Sequence, residues 1–126
     1  MKTIIHNPNA PAPVGPYNQA ILAGDTLYVS GQIAIRQAEG TIIMDTIENE
    51  THQVMKNLGY ILEAAGMNYE NVVKCSVFVK DMEMYGRINA VYAGYFNDDT
   101  APARELVQVS NLPKYVNVEI SCIAVK

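Results

Sequence analysis

The 126-residue sequence has no tryptophan, two cysteines, two histidines and two phenylalanines, and only 17% of its residues are charged. Each shortage excludes something. Cys75 and Cys122 fall inside apolar runs rather than in a CxxC pair or a framework of bridges, so they are expected as buried thiols in a reducing cytoplasm. His6, His52 and the cysteines have no short-range ligand spacing, which argues against a metal site and leaves His6 a loop residue and His52 a solvated helix side chain. No window approaches the ~20 apolar residues of a membrane span. The opening Met1-Lys2-Thr3-Ile4-Ile5 stops at His6-Asn7-Pro8, short of the ~7–15 apolar residues of a secretory signal. The expectation is a soluble cytoplasmic protein without a membrane partner. There is no GxGxxG after a strand, no GxxxxGK[ST] and no GxSxG around Ser30, so a nucleotide cradle is not expected and no cofactor is indicated. Nine Lys+Arg against thirteen Asp+Glu give a net charge of −4, the wrong sign for a generic nucleic-acid backbone binder.

What remains is enough for one core. Hydrophobic residues make up 49% of the chain and include eight tyrosines, and the length predicts a single domain over residues 1–126. Four of the six prolines, Pro8, Pro11, Pro13 and Pro16, stiffen the segment between Asn7 and Tyr17 into an extended loop poor in backbone donors. Tyr17–Leu22 and Leu27–Ile33 read as antiparallel strands around the turn signal Ala23-Gly24-Asp25-Thr26. Ile47, Thr51, Val54, Met55, Leu58, Ile61, Leu62 and Ala65 repeat at helical spacing up to Gly66, with Asp45 and Glu48 resembling a capping box. Gly59 inside that helix costs ~1 kcal/mol relative to Ala, which signals either close packing or simple tolerance. Val72–Val79 is too short and β-branched for a helix and reads as a strand. Asp81 is placed to cap a second helix with an inward stripe of Met84, Ile88, Val91 and Tyr95, ending near Asn97. Two further strands, Arg104–Ser110 and Val116–Val125, complete a β-β-α-β-α-β-β order, with a possible short strand at Thr3–Ile5. The class is α+β, with both helices on one sheet face and the other face needing a cover.

Two charges stand inside the final β-runs, Arg104 and Glu119. If those runs form a hairpin through Asn111–Tyr115 that pairs Leu106 with Glu119, then Arg104 and Glu119 become same-face diagonal neighbours. Their backbones would stand ~7–8 Å apart, with room between them for a small molecule. The alternative is a cross-strand ion pair at a sheet edge.

Gly15-Pro16-Tyr17-Asn18-Gln19-Ala20, Val29-Ser30-Gly31-Gln32, Asn71-Val72-Val73-Lys74, Ala101-Pro102-Ala103-Arg104, Leu112-Pro113 and Val118-Glu119-Ile120 follow one another in the order and spacing of a known family. The chain resembles the reactive intermediate deaminase family of the RidA/YjgF type over nearly its whole length. The resemblance implies a chorismate-mutase-like α+β fold, a mixed sheet with two helices on one face, assembled as a homotrimer with sites between subunits. It also implies cofactor-independent hydrolysis of 2-imino or enamine acids, such as 2-aminoacrylate, 2-iminopropanoate and 2-iminobutanoate, to 2-keto acids and ammonia. Carried over, Arg104 is the clamp for the substrate carboxylate and Glu119 the carboxylate that orients the attacking water, its pKa expected to be lowered by a nearby guanidinium. Tyr17, Ser30 and Gly31 resemble the pocket wall, and Asn89 a polar residue lining the same cleft.

Without the resemblance, Tyr17 reads as an aromatic packed on the Pro-rich loop, Ser30-Gly31 as a strand end or bulge, and Asn89 as a helix-flank residue. The sequence departs from the family at Leu106, where many members carry a cysteine. Leu106 offers a contact only through its backbone, and its bulk bears on substrate size, while Glu105 should face the other way. A second reading is a non-catalytic module that binds small carboxylates on the same trimer, to which the negative Glu119 would add only repulsion. A ribonuclease reading ranks third, because the chain is acidic and its motifs hold no catalytic His pair. On the trimer reading, the low charged fraction reflects apolar sheet faces packed together.

Overall fold

The computed structural model describes residues 1–126. It consists of β1 Lys2–Ile5, β2 Ala20–Ala23, β3 Thr26–Gln32, β4 Ile35–Arg36, β5 Thr41–Ile42, α1 Ile47–Ala64, β6 Val72–Val79, α2 Tyr85–Ala93, β7 Ala103–Gln108 and β8 Val118–Val125. The six-stranded mixed sheet has the order β1-β2-β3-β8-β6-β7, and β4 and β5 pair as a separate ribbon that the sequence did not announce. The class is α+β with two helices, as expected.

Burial decides the strand order. Along β8, Val118, Ile120, Cys122 and Ala124 are buried and the residues between them are not, so the strand has a fully apolar face that suits the sheet centre. In β7, which carries Arg104, Glu105 and Gln108, no residue is buried, which suits an edge. The last two strands therefore do not form the expected hairpin. β8 inserts antiparallel between β3 and β6, and β7 runs parallel to β6 at the sheet edge, Arg104 opposite Cys75 and Leu106 opposite Val77. The expected Leu106–Glu119 register is absent, because a whole strand, β6, separates the two. The β2–β3 hairpin forms as read, with Ala23 opposite Thr26 and Gly24 at φ 60° supplying the left-handed turn residue. Tyr17 itself lies before β2, in the Pro-rich loop.

Val54, Met55, Leu58, Ile61 and Leu62 of α1 belong to the same buried cluster as Leu27 and Val29 of β3 and Ile120, Cys122 and Ala124 of β8. The N-cap of α1 is Thr46, which accepts the Asn49 amide at 3.1 Å, so the cap falls one residue beyond Asp45; Asp45 accepts the Asn49 side chain instead. Asp81 accepts the Glu83 amide and caps a 3₁₀ turn, Met82–Met84, ahead of α2. The second helix thus starts later than expected and ends at Ala93, before Asn97, leaving Met84 and Tyr95 half-buried beyond its ends. A bidentate pair joins the helices, with Arg87 donating to both Glu48 oxygens at 2.7 Å and holding that carboxyl down to about 2.

The Pro-rich loop is held by a side chain that supplies what prolines lack. Gln19, 2% exposed, donates to the carbonyls of Asn7, Ala10 and Pro11 and accepts the Asn7 amide at 2.7 Å. Gly59 is a close-packing glycine: Tyr69 lies across it and donates its hydroxyl to Met55 O at 2.6 Å. A Cβ at position 59 would overlap that hydroxyl and stand 3.0 Å from Cζ. We expect Gly59→Ala to destabilise by about 1–3 kcal/mol despite the better helix propensity of Ala. Thermal melts should show the loss, and adding Tyr69→Phe should recover part of it by removing the overlapped oxygen.

Candidate functional site

The strand pleat sends Arg104 and Glu119 in opposite directions. Arg104 aligns across the sheet with Cys75 and Cys122, whereas Glu119 aligns with Phe78 and Val107. The offset is three residues along the strands and two strands across, roughly 14 Å at the backbone. An odd offset puts the two side chains on opposite faces, so the same-face arrangement expected of them does not occur within one chain.

On the helix-covered face Arg104 sits in a built cradle. Its Nη1 donates to Asn89 Oδ1 at 2.8 Å and its Nη2 to the Tyr85 hydroxyl at 3.2 Å. The guanidinium carbon lies 4.8 Å from the Tyr92 ring centroid and 5.9 Å from that of Tyr85. Tyr85, Asn89 and Tyr92 stand at i, i+4 and i+7 on α2, one helical face supplying both acceptors and the stacking surface. Two of the five guanidinium N–H groups are used, which leaves three donors on a planar group of the kind that matches a carboxylate. Beneath it lies Cys75, fully buried, its thiol pushed up by that burial despite the nearby guanidinium and so held neutral. Leu106 shares the Arg104 face and packs half-buried against the core, while Glu105 points the other way and pairs with Lys74 at 2.9 Å.

On the open face Glu119 lies against a bulge. Val29 pairs with Cys122 and Gln32 with Ile120, so Ser30 and Gly31 together oppose Ser121. A Cβ on Gly31 would stand 2.8 Å from Glu119 Cδ and overlap its carboxylate, so only glycine leaves room for that side chain. The Ser30 hydroxyl is committed to Asn18 O at 2.7 Å. A cavity of about 250 Å³ opens here, lined by Val14, Tyr17, Gly31, Pro113, Lys114 and Glu119, among others. Larger concavities, of about 640 and 580 Å³, lie elsewhere around Arg36 and Lys56 and include none of these residues. Burial raises the Glu119 pKa above the usual carboxylate value. The lowering expected from a guanidinium does not arise, because Arg104 is on the other face.

The structure therefore gathers the sequence candidates into two groups, Arg104 with Asn89 and Glu119 with Tyr17 and Gly31. Tyr85, Tyr92 and Lys114 were not anticipated. The helical spacing of the two tyrosines with Asn89 was available as a signal, once paired with an arginine. Lys114 had none, because its place follows from consecutive left-handed residues, Lys114 at φ 55° and Tyr115 at φ 57°. No three His, Cys, Asp or Glu side chains converge to hold a metal, and no helix is long and apolar enough to cross a membrane.

Comparison with known proteins places these groups in a family. The model of the family described as Endoribonuclease L-PSP matches residues 7–126. A RutC family protein of Synechocystis is 51% identical over 123 residues, covering 97% of this chain and 95% of that one. The mouse 2-iminobutanoate/2-iminopropanoate deaminase is 40% identical over 126 residues, covering 100% of this chain and 93% of the deaminase. The crystal structure of E. coli TdcF with bound serine superposes with a TM-score of 0.92 at 35% identity, covering 98% of each chain. The motifs, the fold and these matches agree: the chain belongs to the Endoribonuclease L-PSP family, the YjgF/RidA proteins.

Proposed function

We propose that this protein hydrolyses reactive 2-imino and enamine acids, among them 2-aminoacrylate, 2-iminopropanoate and 2-iminobutanoate, to 2-keto acids and ammonia. Each protomer is a single chorismate-mutase-like domain over residues 1–126, and three protomers assemble so that the Arg104 cradle of one meets the Glu119 cavity of its neighbour. The observation that carries this reading is the separation of the two groups. An arginine with unused N–H donors and a half-buried carboxylate stand on opposite sheet faces, and a site using both requires two copies of the chain. The open face supports such packing, since Ile4, Tyr28 and Val107 on it are 58%, 51% and 42% exposed. The 40% identity to a named deaminase supports the reaction class, and the serine bound to TdcF supports a small amino-acid-like ligand.

In the proposed reaction Arg104 takes the substrate carboxylate through two charge-assisted hydrogen bonds, with Asn89 and Tyr85 fixing the plane of the fork. Tyr17 and the Ser30-Gly31 backbone wall the pocket, and Leu106 restricts its size through bulk and backbone. Glu119 accepts a proton from a water whose oxygen attacks the C=N carbon, and the C=N electron pair moves to nitrogen. The proton passes from Glu119 to that nitrogen, the carbinol oxygen gives up its remaining proton to Glu119 or solvent as it forms the ketone C=O, and the C–N bond breaks to release ammonia. No cofactor enters these steps. The iminium carbon is already electrophilic, so holding water and substrate together supplies most of the rate.

The test generates 2-aminoacrylate in situ with a serine or threonine dehydratase and follows pyruvate formation against semicarbazide trapping. Arg104→Ala should lower kcat/KM by about 100-fold or more, and Arg104→Lys by less, since a lysine keeps the charge but loses the fork. Wild-type rates in Arg104→Ala would overturn the reading. Activity should fall on acidification as Glu119 takes up a proton, at a pH set by burial, which raises its pKa, against the neighbour's Arg104, which lowers it. Glu119→Gln should be slow throughout and lack that acid limb. Light scattering should give three times 13.9 kDa, and a stable monomer would remove the shared site.

A further inference from the structure

Glu50 on α1 is the one charged side chain among the buried residues, with 0% of its surface exposed. The proposed reaction does not use it, and no cation pairs with it in any of the protein's ion pairs. A carboxylate buried without a cation is costly unless N–H donors surround it. Three do: the Asn117 amide donates to Oε2 at 2.8 Å, the Val118 amide to Oε2 at 3.3 Å, and the Asn117 side-chain Nδ2 to Oε1 at 2.8 Å. All three come from the two residues immediately before Glu119. The Lys80 amide holds the same spot from the end of β6, donating to Asn117 O at 2.9 Å.

The segment clamped in this way is the one most in need of it. Lys114 and Tyr115, just upstream, both adopt left-handed backbone, a conformation that costs free energy in any residue but glycine and persists only when its surroundings hold it. Val116 and Val118 are fully buried on either side of Asn117, so the strand must enter at one height and in one register. Asn117 itself precedes β8 and escapes the strand alternation, which lets its side chain turn to Glu50 while Glu119 faces the cavity on the open side.

We infer that Glu50 is a positioning residue for the reaction, gripping the start of β8 so that the Glu119 carboxylate stays seated over Gly31 and aimed into its cavity. The inference rests on the reading of Glu119 as the group that orients water. It makes Glu50 more than a tie between helix and sheet. A tie would affect stability alone, whereas a positioning group acts on the step that uses Glu119 and spares the Arg104 clamp that binds substrate.

The test compares Asn117→Ala, Asn117→Asp, the pair Glu50→Gln/Asn117→Asp, and Glu119→Gln. Steady-state kinetics use 2-imino acids generated in situ by an amino-acid oxidase, with circular dichroism and light scattering to confirm fold and assembly. Asn117→Ala removes one of the three donors and leaves both backbone amides, and it should lower kcat about threefold to tenfold. Asn117→Asp sets two carboxylates face to face in a buried site and should lower kcat by about tenfold or more, with KM changed less than about threefold. In the double variant the side-chain amide introduced at position 50 donates to the carboxylate introduced at position 117, and kcat should return to within about threefold of wild type. Folded Asn117 variants with wild-type kcat, or a double variant no faster than Asn117→Asp, would overturn the inference. If Glu119→Gln is inactive while those variants are normal, only the Glu50 role falls. A fully active Glu119→Gln removes the water-orienting reading and the Glu50 role with it.

Discussion

The pleat of β8, pinned between β3 and β6, is the constraint from which the rest follows. Its buried residues Val118, Ile120, Cys122 and Ala124 meet the helices, and this fixes Glu119, Ser121 and Ile123 on the side without helices. A one-residue slip would bury Glu119 in the core and expose Ile120, so burial sets the register here and the Glu50 contacts hold the strand's entry to it. Once β8 occupies the centre, β7 has only the outer edge of β6 left to it. Arg104 then comes under α2, two strands from Glu119 and on the other face.

Arg104 and Glu119 are each oriented by neighbouring residues. Arg104 is oriented by Asn89 and Tyr85 and backed by the Tyr92 ring, so much of its side-chain freedom is already lost before a ligand arrives. Glu119 is seated by a missing side chain at Gly31 and by the bulge that brings Gly31 opposite it. Around a carboxylate raised in pKa by burial, a neighbour's guanidinium would have the opposite effect. The proposed assembly therefore changes the electrostatics of the site as well as completing it.

The helices, the β2–β3 hairpin and the strand Val72–Val79 were legible because each leaves a local signature, whether helical spacing, a Gly turn or a β-branched run. Caps were read less well, Thr46 acting where Asp45 was expected, since neighbouring polar residues compete for the same donors and only geometry selects one. The pairing of the last two strands was misread for a different reason. Proximity in sequence favours a hairpin, but the polar β7 and the apolar-faced β8 differ in how much burial each can use, and the whole sheet decides between them. Glu50 left no trace in the sequence, where it reads as one more acid in the first turn of a helix.

The sequence by itself determined the α+β class, the two helices, the residue types suited to grip a carboxylate and hold a water, and, through its ordered motifs, the family. These are properties of short segments, carried by side-chain period and chemistry. Only the tertiary structure decided that Arg104 and Glu119 part company across the sheet, that Tyr85 and Tyr92 cradle one and Gly31 seats the other, and that Glu50 holds the start of β8. Those outcomes depend on which strand wins the centre of the sheet, a competition for burial among segments far apart in the chain that no single segment encodes.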